Sequence, residues 1–149
     1  MNCENDLRTS SIGVLFKQTR NAILGALERM LVASGLDFTF SQYVTLKRLA
    51  EGPASAGELA RVAEINPGAM TRLLDQLEKR DIVRRLADPA DRRALKVELT
   101  EAGQAARLAT EVIGEQLRLR AMEGLDEHER TELFRLLAHV RDNLNKDIE

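Results

Sequence analysis

The chain has 149 residues, a formal net charge of −2, 44% hydrophobic and 31% charged residues, and one cysteine. That is enough chain to bury a core and too much charge for a membrane protein, and no apolar run approaches the roughly 20 residues that span a bilayer. The start, MNCENDLRTSS, lacks a basic segment followed by an apolar one, so no secretory signal is expected, and a single cysteine fits a reducing cytoplasm. Residues 7–33 predict a long first helix, with Ile12, Leu15, Phe16, Ile23, Leu27, Met30 and Leu31 near one face and Ser34-Gly35 ending it.

Thr39-x-x-Gln42 is a capping-box pattern that opens a second helix running to about Glu51, with Tyr43, Leu46, Leu49 and Ala50 on its buried side. Ser55-x-x-Glu58 opens a short third helix to about Ala63. A three-residue link, Glu64-Ile65-Asn66, leads into a fourth that Pro67 starts and Asn66 caps. Met70, Leu73, Leu74 and Leu77 give this helix one narrow apolar face; Gly68, Thr71, Arg72, Asp75, Gln76 and Lys79 occupy the other. Two short helices joined so tightly predict a helix-turn-helix. After Asp81 the period changes: Leu95, Val97 and Leu99 alternate with Lys96 and Glu98 as in a half-buried strand, and Asp88-Pro89-Ala90-Asp91 is a turn signal followed by Arg92 and Arg93. A two-stranded hairpin buries too little surface to stand alone, so it must lean on the helices as a wing.

Thr100 caps a fifth helix over about 101–123. Gly124 interrupts the chain, and Asp126-x-x-Glu129 opens a last helix over 126–148 with the stripe Leu133, Leu136, Leu137, Val140, Leu144 and Ile148. The fold class is mainly α with a small β-hairpin wing: a winged helix-turn-helix over residues 36–100 in a single 1–149 domain. The first, fifth and sixth helices carry more apolar surface than so small a lobe can cover. The simplest remedy is a second copy about a two-fold axis, so residues 7–33 and 104–148 are expected to build a homodimer; a monomeric bundle is the alternative.

The net charge hides an asymmetry. Residues 61–96 hold nine Lys/Arg against six Asp/Glu, whereas the remainder holds 13 against 18. Local field governs attraction to phosphates, so the basic segment supports nucleic-acid binding.

The run Asp88-Pro-Ala-Asp91-Arg92-Arg93-Ala-Leu-Lys-Val97-Glu-Leu99-Thr100-Glu-Ala-Gly103 resembles the D-x-x-D-x-R-x-x-x-V-x-L-T-x-x-G signature of the multiple antibiotic resistance regulator (MarR) family. Thr71 to Glu78 is similar to that family's recognition helix, and the order of elements matches from residue 7 to 148. The resemblance implies a cytoplasmic, ligand-responsive transcriptional repressor. In it, two winged lobes of a dimer read adjacent major grooves of a pseudo-palindromic operator.

In a helix-turn-helix the start of the second helix meets base edges. Here that start offers Pro67, Gly68 and Ala69, small enough for close approach, then Thr71 and Arg72, the latter able to pair bidentately with guanine. Gln76 reaches base or phosphate, and Ser41 stands where a phosphate can approach a helix start. The resemblance makes Arg93 the residue that enters the minor groove and Asp91 its brace, with Arg92 on the backbone. Arg84, Arg85 and Lys96 are weaker candidates, because strand arginines are often solvent-facing; capping accounts fully for Ser55.

The resemblance also implies an effector pocket suited to phenols or aromatic carboxylates where the dimer helices meet the lobe. Phe16, Ile23, Phe38 and Tyr43 are its candidate walls and Arg20 a carboxylate partner, although Phe16 and Ile23 also serve as plain core and Arg20 as a solvated helix residue. Cys3 sits among Glu4 and Asp6, which disfavour a thiolate, so no redox sensor is expected. His128 and His139 are separated by about 16 Å of helical rise and cannot share a metal within one subunit. No glycine-rich phosphate loop, nucleophile pair or metal cluster is present, so neither enzyme, cofactor nor metal is expected. The competing class is a dimeric winged-helix module that binds protein and not DNA; an arginine braced at a hairpin tip argues against it.

Overall fold

The computed structural model describes residues 11–91 and 94–146. In chain order they form α1 (Ile12–Ala33), α2 (Phe40–Leu49), α3 (Ala56–Val62), α4 (Pro67–Lys79), β1 (Val83–Ala87), β2 (Leu95–Leu99), α5 (Glu101–Ala121) and α6 (Glu127–Leu144). The chain divides into two compact units, one extending to Leu117 and the other beginning at Arg118.

In the first unit each helix starts where the sequence places a cap. The Gln42 N–H donates to Thr39 Oγ1 at 3.3 Å and the Thr39 N–H to Gln42 Oε1 at 3.0 Å. Ser55 and Glu58 exchange the same pair of bonds at 3.1 and 2.7 Å. The Ala69 N–H donates to Asn66 Oδ1 at 2.8 Å, with Pro67 at the first helical position. Both helices of the helix-turn-helix end alike. Glu64 (φ 53°) and Asp81 (φ 58°) take the left-handed conformation, while the Ile65 N–H reaches back to Ala60 O (3.1 Å) and that of Ile82 to Leu77 O (2.9 Å). These are Schellman closures with a non-glycine residue in the glycine seat.

Leu46 and Leu49 of α2, Leu59 of α3, and Met70, Leu73, Leu74 and Leu77 of α4 close on Val83, Val97 and Leu99 of the hairpin, with Leu27 and Leu31 of α1 and Ile113 of α5 in the same core. The apolar face expected for α4 is buried in full and its polar face exposed in full. The hairpin is antiparallel in the register Val83↔Leu99 to Ala87↔Leu95. Its core face fades toward the tip. Leu95 shares the parity of Val97 but is 57% exposed, because the hairpin there has passed the end of the core. Ala54 adds a one-residue third strand, exchanging backbone bonds with Val97 at 3.0 and 2.8 Å. The Thr100 hydroxyl joins hairpin to α5 by donating to the carbonyls of Asp81 and Ile82 and accepting the Gly103 N–H at 3.0 Å.

The boundaries differ from expectation at several ends. α2 stops at Leu49, α5 at Ala121 and α6 at Leu144; residues 7–10 and Ile148 lie outside the described residues. The second unit holds the end of α5, a turn with Gly124 at φ 83°, and α6, opened by bonds between Asp126 and Glu129 of 2.8 and 2.9 Å. No α6 residue is buried. Among the described residues no helix is long and apolar enough to cross a membrane.

Candidate nucleic-acid interface

Helix α4 turns Pro67, Gly68, Thr71, Arg72, Gln76 and Lys79 to solvent, with Ala69 partly covered. Gly68 is not demanded by the fold: a Cβ there would meet only Asn66 Oδ1 at 3.5 Å, an ordinary contact. The Thr71 hydroxyl donates to Pro67 O at 3.0 Å, so the side chain offers its methyl and its oxygen lone pairs outward. Arg72 has no ion-pair partner among the described residues and projects five donors. Gln76 is partly engaged, its Oε1 accepting from Nε2 of the buried Gln42 at 3.3 Å. Ser41 is at the second position of α2, half-buried, with its carbonyl taking the Thr45 hydroxyl at 2.8 Å.

The wing is built by Asp88. Its N–H donates to Ala94 O at 2.9 Å, its Oδ1 accepts the Ala90 N–H at 2.9 Å, and its Oδ2 is 3.8 Å from Lys96 Nζ. Asp91 is exposed; its N–H donates to Asp88 O at 3.2 Å and its carbonyl accepts the Ala94 N–H at 3.0 Å. Arg92 and Arg93, and with them the bracing of Arg93 by Asp91, lie outside the described residues.

Of the two strand arginines, Arg84 faces solvent as the sequence suggests and Arg85 does not. Arg85 reaches from β1 across to α4 and binds Asp75 Oδ1 at 2.8 Å and Glu78 Oε2 at 2.5 Å. Partial burial alone would lower the Arg85 guanidinium, but the bonds and charges of Asp75 and Glu78 outweigh it and hold it above its ordinary value. Arg84 pairs across the hairpin with Glu98 Oε1 at 2.5 Å. The clasp through Arg85 ties the wing to α4. It also offsets one of the two negative charges that Asp75 and Glu78 place on the exposed face of α4 beside Arg72 and Lys79.

Of the expected effector residues, Phe16, Arg20 and Ile23 stand exposed on α1. Phe38 is buried in the core, with the Arg80 guanidinium 4.4 Å from its ring centroid and Arg80 Nη1 donating to Asp37 O at 2.7 Å. Tyr43 packs on α5 at Gly114, where a Cβ would fall 2.2 Å from the phenol oxygen. Burial raises the Tyr43 hydroxyl above its usual range, and the Glu111 charge adds to the shift. Phe38 and Tyr43 are thus occupied by the chain's own packing. A cleft of about 310 Å³ lies elsewhere, on the wing, lined by Pro53, Leu86, Pro89 and Lys96. Cys3 lies outside the described residues, and no group of His, Cys, Asp or Glu suited to a metal occurs among those described.

Residues 38–95, the helix-turn-helix and most of the wing, match the model of the MarR family. The chain is also 33% identical over 106 residues to the transcriptional repressor NicR of Pseudomonas putida, covering 70% of this chain and 67% of NicR. The chain belongs to the MarR family. A mutant of Escherichia coli MarR complexed with operator DNA superposes with a TM-score of 0.77 at 28% identity, over 94% of this chain and 99% of that one. Bordetella bronchiseptica BpsR, whose DNA binding is regulated by 6-hydroxynicotinic acid, superposes at 0.79 over 93% of this chain and 96% of its own. At 24% identity that likeness speaks to fold alone. As a MarR-family member the chain is a DNA-binding transcriptional regulator and not an enzyme.

Proposed function

We propose that this regulator is a cytoplasmic repressor that binds a pseudo-palindromic operator as a homodimer and is released by a small aromatic carboxylate or phenol. Residues 36–100 serve as the DNA lobe and residues 7–33 and 104–148 as the dimerisation helices. The observation that carries the paired-lobe reading is the uncovered apolar surface of α1 and α6. Ile12, Leu15, Phe16 and Ile23 of α1 are exposed in the single chain, as are Phe134, Leu136 and Leu137 of α6. Completing the burial of such half-covered side chains is worth about 1 kcal/mol each, which a second copy can supply. Repression is supported by the likeness to NicR, itself a repressor.

Within each half-site, Gly68, Thr71, Arg72 and Gln76 meet bases, and Pro67, Ala69 and Ser41 lie against the backbone. Arg93, braced by Asp91, enters the minor groove, with Arg92 on phosphate. For the effector, the exposed Phe16, Arg20 and Ile23 are available to a pocket completed by a partner, with Arg20 toward a carboxylate. A ligand that favours a lobe spacing unsuited to the operator lowers DNA affinity by the same factor that DNA lowers its own.

The test is sedimentation equilibrium of the intact chain, followed by gel shift on the inverted repeats flanking its own gene. Titration with benzoates, phenols and 6-hydroxynicotinic acid completes it. A dimer that releases DNA on ligand addition is expected; a chain monomeric at tens of micromolar overturns the paired-lobe reading.

A further inference from the structure

Gln42 is 6% exposed, and both ends of its amide are in use. Its Oε1 accepts the Thr39 N–H at 3.0 Å, closing the capping box of α2, and its Nε2 donates to Gln76 Oε1 at 3.3 Å. The first bond decides the second. A backbone N–H only donates, so the end of the Gln42 amide turned to Thr39 must be its oxygen, and the end turned to α4 its NH2. That NH2 in turn only donates. Gln76 must therefore point its own oxygen back at Gln42 and carry its NH2 outward, on the exposed face it shares with Arg72. A glutamine free to place both amide atoms reads adenine bidentately, its oxygen taking N6–H while its NH2 gives to N7. The tether to α2 takes one of the two lone pairs of the Gln76 oxygen and holds that oxygen toward Gln42, so Gln76 leads into the groove with its NH2.

We propose that Gln42 is a positioning residue that fixes Gln76 as a hydrogen-bond donor in the major groove. It thereby favours guanine (O6, N7) or thymine (O4) at that position of each half-site over cytosine and over the two-atom adenine pair. This holds only where α4 is the base-reading helix, as proposed above. The orientation of Gln76 is set 34 residues away, in a bond that also starts another helix.

Selection of bound sequences from a random duplex library, with the intact chain, tests it. Gln76→Ala identifies the column that residue reads by flattening it. Gln42→Glu keeps an oxygen for the Thr39 N–H but replaces the NH2 with an acceptor, so Gln76 turns over and leads with its carbonyl. The same column then shifts toward adenine or cytosine by about fivefold, the worth of one net hydrogen bond. Gln42→Met removes the tether without burying charge and broadens the column. It decides alone if circular dichroism shows Gln42→Glu unfolded. A purely structural Gln42 would lower affinity uniformly and leave every column as it was. That result in the folded Gln42 variants overturns the proposal, as does a Gln76→Ala profile identical to wild type. A wild-type chain that enriches no motif overturns the base-reading role of α4 itself.

Discussion

Gly68 stands at the second position of α4 with room beside it for a methyl group, so the fold does not require glycine there, and the proposed close approach of DNA gives its smallness a use. Alanine is the better helix former, by up to about 1 kcal/mol. Gly68→Ala is therefore expected to leave the melting temperature unchanged or raised, while operator binding weakens by about 1–3 kcal/mol as the added methyl crowds the groove. Equal affinity in a gel-shift titration would place Gly68 off the interface. In the proposed complex Arg72 and Arg93 have separate roles. Arg72→Ala should relax base preference at one position per half-site. Arg93→Ala should weaken binding by about 1–3 kcal/mol with the assembly intact.

At the scale of the element, local signals and long-range ones part company. The four α4 core positions and the caps at Thr39, Ser55, Asn66 and Asp126 were legible, because period and capping are written within a few neighbouring residues. The clasp of Arg85 on Asp75 and Glu78, the seat of Tyr43 on Gly114, and the Ala54–Val97 bridge were not. Each joins segments whose approach is decided by the packed core, and no spacing in the chain encodes it. Leu95 shows the same limit in reverse: alternation marked its face of the strand but not where the core beneath it ends.

The clasp has a consequence that separates it from ordinary surface pairs. Arg85→Gln removes the only positive charge paired with Asp75 and Glu78 among the described residues and one polar tie between wing and α4, while the apolar packing of Val83, Val97 and Leu99 remains. Stability should fall by about 1 kcal/mol or less, as for partly exposed pairs, whereas operator affinity should fall further and its salt dependence change. A loss of affinity no larger than the loss of stability would reduce Arg85 to a structural pair. The helix end at Asp81 gives an opposite case. It holds φ 58° where glycine is at ease, and its carbonyl, which takes the Thr100 hydroxyl, survives substitution. Asp81→Gly is expected to raise stability by about 1 kcal/mol in urea denaturation, with DNA binding unchanged.

At the scale of the whole molecule, the exposed apolar rows make a prediction that a self-sufficient monomer would not. Leu15 is 42% exposed in the single chain, so a charge there costs the isolated subunit little. At a two-fold contact the same charge is introduced on both sides of the axis, facing apolar surface. Leu15→Lys is therefore expected to convert a sedimenting dimer to monomer while the helical circular dichroism signal is retained. The DNA consequence can be read separately. Two linked lobes neutralise about twice the phosphates of one, and the slope of log affinity against log salt scales with that number. The variant should thus show roughly half the wild-type slope, along with a loss of operator affinity that reflects the missing link between half-sites. A variant that remains dimeric would move the contact off this part of α1. One that becomes monomeric with the full slope would mean that the two lobes never bound DNA together.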